Sequence, residues 1–172
     1  MSIQRLFAYA FAAYLVLLGT GVAIANDEPG NYNASLNGTY RIFTSLNNVG
    51  STATLKFIGV ITYDGKGRAW MADRGTIIDI NAGTAISFEE TGEFTYKVKR
   101  DGSFTQEGTF TSNPVGDYVI TGVKWVGQIG AQGSILILSG AIPPGPQIFT
   151  SGGASSVRYG VITGTAVRID EE

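Results

Sequence analysis

The chain contains no cysteine and no histidine, only five prolines, and just 15% charged residues among its 172. Without histidine or cysteine there can be no Ser-His-Asp or Cys-His triad and no thiol redox chemistry. The usual zinc, haem and iron–sulfur ligand sets are excluded with them. No cofactor is expected, and no metal either, because no Asp-x-Asp-x-Asp-Gly loop is present to collect calcium. The 12 Lys+Arg against 14 Asp+Glu leave a net charge of −2. That balance offers no electrostatic footprint for nucleic acid or for an anionic membrane. Helical periodicity is also missing downstream of the N-terminus. What is abundant is glycine, with 24 residues, and aromatic side chains, with nine Phe, eight Tyr and two Trp.

The first 25 residues read as a secretory signal peptide. One positive charge, Arg5, precedes an unbroken apolar run over 6–18, and Ala23-Ile24-Ala25 supplies the small-residue cleavage pattern. Cleavage after Ala25 predicts an exported protein, periplasmic or extracellular, with no membrane span in the mature chain. Lacking disulfides, such a protein must draw its stability from packing. Residues 26–35 are polar and turn-rich and read as a flexible leader. Asn33-Ala34-Ser35 and Asn37-Gly38-Thr39 match the glycosylation acceptor pattern of a eukaryotic secretory pathway; in a bacterium they would serve as turn residues.

From 36 to 172 the texture is that of one all-β domain. Over 54–63, Leu55, Phe57, Gly59, Ile61 and Tyr63 alternate with Thr54, Lys56 and Thr62, the period of a strand with one packed and one wet face. Asp64-Gly65-Lys66-Gly67 then turns the chain, and is too short to cradle a phosphate. Phe94, Tyr96 and Val98 alternate with Glu93, Thr95, Lys97 and Lys99. After Arg100-Asp101-Gly102, Phe104, Gln106, Gly108 and Phe110 line one face of the returning strand. Further strands are expected over 38–44, 68–73, 76–80, 84–89, 118–126, 134–140 and 157–169. Loops are expected at Pro143-Pro144-Gly145-Pro146 and Ser151-Gly152-Gly153-Ala154-Ser155. Eight to ten antiparallel strands in one domain curl into a barrel or split into a sandwich; glycines within strands favour the barrel, where they permit sharp coiling.

Three blocks carry a resemblance: Leu36-Asn37-Gly38-Thr39-Tyr40, then Gly59 to Gly67 (GVITYDGKG), then Phe94 to Ser103 (FTYKVKRDGS). This pattern resembles exported bacterial proteins of unassigned function, over about half of the mature chain. The resemblance implies a single lipocalin-like (calycin-like) antiparallel β-barrel.

Within such a barrel the aromatic residues Phe57, Trp70, Phe94, Tyr96, Phe104, Phe110 and Tyr159 are candidates to line a ligand cavity or to fill the core. Gln106, among rings, either orients a ligand or is a satisfied structural amide. Arg74 and Lys124, within apolar stretches, would grip an acidic head group from inside or snorkel at a rim. Asp64, Lys66, Asp101 and Asn113 fall in turns. Glu89-Glu90 is read as loop; on a strand the two would point to opposite faces and could not act together. No catalytic residue is assigned. The leading expectation is a binding module for a small apolar ligand. The alternatives are a cyclase of the allene oxide cyclase or dirigent type, working by substrate shaping without His or Cys, and a structural barrel with a filled core.

Overall fold

A computed structural model describes residues 31–49, 52–112 and 118–169. The signal segment 1–25, half of the leader (26–30) and Asn113 lie outside the described residues. Among those described, ten strands form one antiparallel sheet: β1 (Asn37–Asn48), β2 (Ala53–Asp64), β3 (Arg68–Asp79), β4 (Thr84–Val98), β5 (Ser103–Ser112), β6 (Tyr118–Gly130), β7 (Ile135–Gly140), β8 (Gln147–Ser151), β9 (Ala154–Arg158) and β10 (Gly160–Arg168). Strands β1 to β7 meander, β10 pairs with both β7 and β1, and β5 pairs with β6, so eight strands close a barrel. The β8–β9 hairpin is an excursion between β7 and β10, attached through β8 to the first residues of β6. Helix among the described residues is confined to two three-residue 3-10 turns, Asn33–Ser35 and Ala131–Gly133.

Two predicted breaks do not exist, and one that was not predicted does. Arg74-Gly75 does not divide β3, nor does Thr91-Gly92 divide β4. Gly75 sits opposite Phe57 on one side and Phe88 on the other, while Gly92 sits opposite Phe110. These glycines are places where a strand makes room for a neighbour's ring, not places where it stops. Glu90 is therefore strand, not loop. The segment 147–151, lost between two expected loops, is β8, and the single strand expected over 157–169 divides at Tyr159 into the partner of β8 and the barrel strand β10.

The hand-over from β7 to β8 has a local cause. Opposite Gly108–Phe110, β6 carries one extra residue between Ile120 and Val123, a bulge. Gly122 there has φ +73°, a left-handed backbone that a β-carbon disfavours. Beyond the bulge the strand bends, pairing its later residues with β7 and its earlier ones with β8.

The barrel has a filled end and an open end. At the filled end Tyr40, Tyr63, Tyr96 and Phe104 pack edge to face, with Tyr63 at 5.7 Å from Tyr40, 5.1 Å from Tyr96 and 6.3 Å from Phe104 between ring centres. Each buried hydroxyl has an acceptor: Tyr40 donates to the Gly133 carbonyl at 2.8 Å, Tyr63 to Gln106 Oε1 at 2.7 Å and Tyr96 to the Leu36 carbonyl at 2.7 Å. Residues 31–35, expected to be part of a flexible leader, plug this end instead. Asn33 is buried, its Nδ2 donating to the Tyr96 carbonyl at 3.4 Å and its Oδ1 accepting from the Val98 amide at 2.9 Å. Asn33→Ala would leave a buried N–H and a buried carbonyl unmet. We expect it to cost about 1–3 kcal/mol, read as a lower urea midpoint with the same slope.

Candidate functional site

Above the tyrosine layer the barrel is hollow. A cavity of about 640 Å³ lies between the mid-barrel layer and the β8–β9 hairpin, walled by Leu46, Leu55, Phe57, Ile77, Phe110, Ile120, Val123 and Trp125. Phe149, Val157, Arg158 and Tyr159 border it from the hairpin side, and Asn48, Glu90, Tyr118 and Gln147 are its polar members. That volume and mixture, mostly apolar with a few polar groups, suit a small organic molecule. A larger furrow of about 870 Å³ runs along the outside between Phe43, Ile58, Arg74 and Glu89, but it is open to solvent. The interior cavity is the better-formed site.

Glu90 lines its inner end, and Asp73, outside the lining, is Glu90's partner across the ladder. Asp73 of β3 and Glu90 of β4 are directly opposed across the ladder, on the inward face, and each is only 7% exposed. Directly opposed residues hold their β-carbons about 4.5–5.5 Å apart. Room for Asp73 comes from Gly59 on β2, its partner on the other side, where a β-carbon would strike the Asp73 side chain and the Ala72 carbonyl. Glu90 Oε2 accepts from the Tyr118 hydroxyl at 2.9 Å, and the Tyr118 ring stacks on Phe149 at 5.0 Å, so β6 and β8 position that donor. Neither Asp73 oxygen has a hydrogen-bond partner, and neither does Trp125 Nε1, in a side chain 1% exposed.

Burial, and then the neighbouring Glu90 charge, push Asp73 up to about 8; burial raises Glu90 to about 7, against the bond from Tyr118. Two like charges opposed in an apolar interior cannot both ionise freely, and the pair holds protons at neutral pH that an exposed pair would have released. Tyr118 is raised too, first by burial and then by the Glu90 charge, so it stays a donor.

The residues singled out from the sequence divide three ways. Phe57, Phe110 and Tyr159 border the cavity. Phe94, Tyr96, Phe104 and Gln106 are inward and buried but belong to the packed layers; Gln106 Oε1 is held by Tyr63, while its Nε2 has no partner. Trp70, Arg74 and Lys124 do not line the interior. Trp70 is 45% exposed, Arg74 is exposed, and Lys124 pairs with Glu107 at 3.2 Å on the outer wall. Each stands next to an inward residue (Met71, Asp73 and Trp125 respectively), and adjacent strand residues face opposite ways. The sequence reading missed Asp73, Glu90 and Tyr118. The available signal was parity: once Phe94 and Tyr96 are inward, Glu90 two steps further back shares their face.

Fold and cavity define a closed antiparallel β-barrel with an internal chamber and a hairpin beside its mouth. No family model and no curated protein matches the chain. Among solved structures it is similar to a redesigned β-barrel, mFAP1, bound to DFHBI (15% identity, TM-score 0.41, 81% of this chain and 100% of that one). It is also similar to EF1p2_mFAP2b bound to DFHBI (14%, TM-score 0.46, 81% and 98%). A third is the S-type phycobiliprotein lyase CPES from Guillardia theta (11%, TM-score 0.38, 82% and 92%).

Proposed function

We propose that this chain is an exported binding module that takes a small, largely apolar molecule into the barrel. The observation that carries the reading is the interior chamber of about 640 Å³, hollow at one end of a barrel whose other end is filled with rings. A barrel serving only as a scaffold would have been filled throughout, as the tyrosine end is. Export rests on the signal segment 1–25 and its Ala23-Ile24-Ala25 pattern. The outer wall of β4–β6 carries Glu93, Lys97, Glu107 and Lys124, all exposed, and this charged exterior around an aromatic interior is the reverse of an outer-membrane barrel with a polar lumen.

N-phenyl-1-naphthylamine, uncharged at neutral pH, should gain fluorescence and shift to the blue on binding the protein. Ile120→Trp, which fills the chamber from β6, should weaken that binding by about tenfold or more with the circular dichroism unchanged. No fluorescence change with the parent protein, or equal binding by the Trp variant, would remove the chamber as the site.

A second reading is favoured by the Tyr118–Glu90 hydrogen bond: proton transfer on a molecule held in shape, in the manner of a cyclase. It requires that a molecule recovered from the barrel be converted by the protein, and that Glu90→Gln stop the conversion without weakening binding.

A further inference from the structure

We infer that the ligand of the chamber ends in a carboxylate, held at the hairpin side by Arg158, Gln147 and Asn48, with its apolar body lying inward against Phe57, Phe110 and Val123. The inference rests on the reading of the chamber as a binding site. All three polar residues line it. Gln147 and Arg158 are directly opposed in the β8–β9 ladder, so their side chains leave one face of the hairpin, the face that also carries Phe149. Asn48 arrives from β1, directly opposite Gly160. A β-carbon on Gly160 would stand 3.3 Å from Gln147 Oε1 and 3.4 Å from Asn48 Oδ1, so the two carboxamides flank the space over this glycine.

The donors of this group are uncommitted. Among the described residues no ion pair engages Arg158, and no hydrogen bond engages the side-chain amides of Gln147 and Asn48. Gln147 is only 8% exposed, yet its amide is not sealed in the wall: it keeps accessible surface where the residue lines the chamber. A buried amide in that condition lacks the bonds that would repay its desolvation. Arg158 lies 3.9 Å over the Phe149 ring. That contact uses the face of the guanidinium and leaves its in-plane N–H donors available. The other polar pair of the chamber is already matched, Tyr118 donating to Glu90 at 2.9 Å. A guanidinium with two amides beside it calls for an acceptor-only group of opposite charge, which a carboxylate supplies. A hydrocarbon leaves these donors unmet, and an ammonium meets like charge. The role that the sequence suggested for Arg74 and Lys124, gripping an acidic head group, thus passes to a cation of the β8–β9 hairpin.

Competition against N-phenyl-1-naphthylamine at about pH 6 tests this with three probes of one chain length: octanoate, octanol and octylamine. At that pH an alkyl carboxylate is ionised, while Glu90, raised by burial to about 7, mostly holds its proton. Octanoate should displace the fluorophore at about a tenfold lower concentration than octanol, and octylamine should be the weakest. Arg158→Gln, at an exposed position, and Gln147→Leu should each remove most of the octanoate advantage while octanol displaces as before. Equal displacement by octanoate and octanol, or tighter binding of octylamine, would overturn the carboxylate assignment and leave the chamber standing. An advantage kept whole in either variant would overturn it too, by moving the carboxylate elsewhere. A variant in which octanol no longer displaces has lost the chamber, and the other variant then decides. If the fluorophore itself does not bind the parent protein, the chamber reading fails and this inference falls with it.

Discussion

Raising the pH from about 5 to about 8.5 should destabilise the ligand-free protein by on the order of several kcal/mol. Asp73 and Glu90 in the unfolded chain titrate near 3.8 and 4.5; in the barrel burial, with Glu90 acting on Asp73, raises them to about 8 and about 7. Between those limits the folded protein binds more protons than the unfolded one, so stability declines as pH rises. The contribution is complete below about pH 4 and lost by about pH 8. An opposite effect operates at the acid end. Asp79 is lowered by the Ala82 amide and then by the Thr52 hydroxyl, Asp101 by the Ser103 hydroxyl and then by its amide, and these turns weaken as pH falls below the ordinary carboxylate range. The maximum should thus lie in mildly acid solution. Thermal melts across the range give the profile, and Asp73→Asn/Glu90→Gln should flatten its alkaline limb and raise the melting temperature at about pH 8.5. Glu90→Gln keeps an acceptor for Tyr118, so the change isolates charge from hydrogen bonding. A melting temperature that rises with pH, or a slope unaltered in the double variant, would show that the two carboxyls are hydrated rather than desolvated.

A single β-carbon at Gly108 should have the other large effect. Gly108 lies opposite Phe94, and a β-carbon there would strike the Glu93 carbonyl oxygen and come within 2.5 Å of Phe94 Cδ1. Neither can yield cheaply. The carbonyl is fixed in the β4–β5 ladder, and Phe94 is wedged between Phe110 and Trp125 at 5.2 and 5.3 Å between ring centres. Overpacking in a full core costs about 1–3 kcal/mol, and more where backbone must move. Gly108→Val is expected at or beyond the upper end, enough to leave much of a marginally stable domain unfolded at ambient temperature. Gly83→Ala is the matched control: nothing lies within 4 Å of its β-carbon, and only its φ of +63° opposes the change. Urea unfolding of the two should separate steric from conformational cost; equal midpoints would mean that the β4–β5 pairing yields where the ring packing says it cannot.

Gly108 belongs to a wider set. Phe57 faces Gly75, Phe94 faces Gly108, Phe104 faces Gly127 and Phe110 faces Gly92, each pair directly opposed across two strands. A ring laid over a glycine covers backbone that a side chain would otherwise cover and lets the barrel curve tightly. Sequence reading reached the coiling role of Gly108 alone among these and the pairing of none, because the partner of each lies 14 to 23 residues away and is known only once the register is known.

The same boundary runs through the whole molecule. Alternation is local: a strand's side chains point to opposite faces whatever it pairs with. For that reason the β4–β5 hairpin, the inward set Phe94, Tyr96, Phe104 and Phe110, and the all-β class were legible from residue order alone. Parity also told against Arg74 and Lys124 as interior cations, given the inward residues beside them. Which end is filled was not legible, since it depends on Asn33 reaching the carbonyl of Tyr96, 63 residues on. Nor was the chamber, which exists because the Gly122 bulge turns β6 towards β8 and carries Tyr118 to Glu90, 28 residues away in sequence. Asp73, between Ala72 and Arg74, and Glu90, between Glu89 and Thr91, each resemble an ordinary polar residue. Only closure of the barrel buries them face to face, because burial and opposition are properties of the ladder that pairs two strands rather than of either strand.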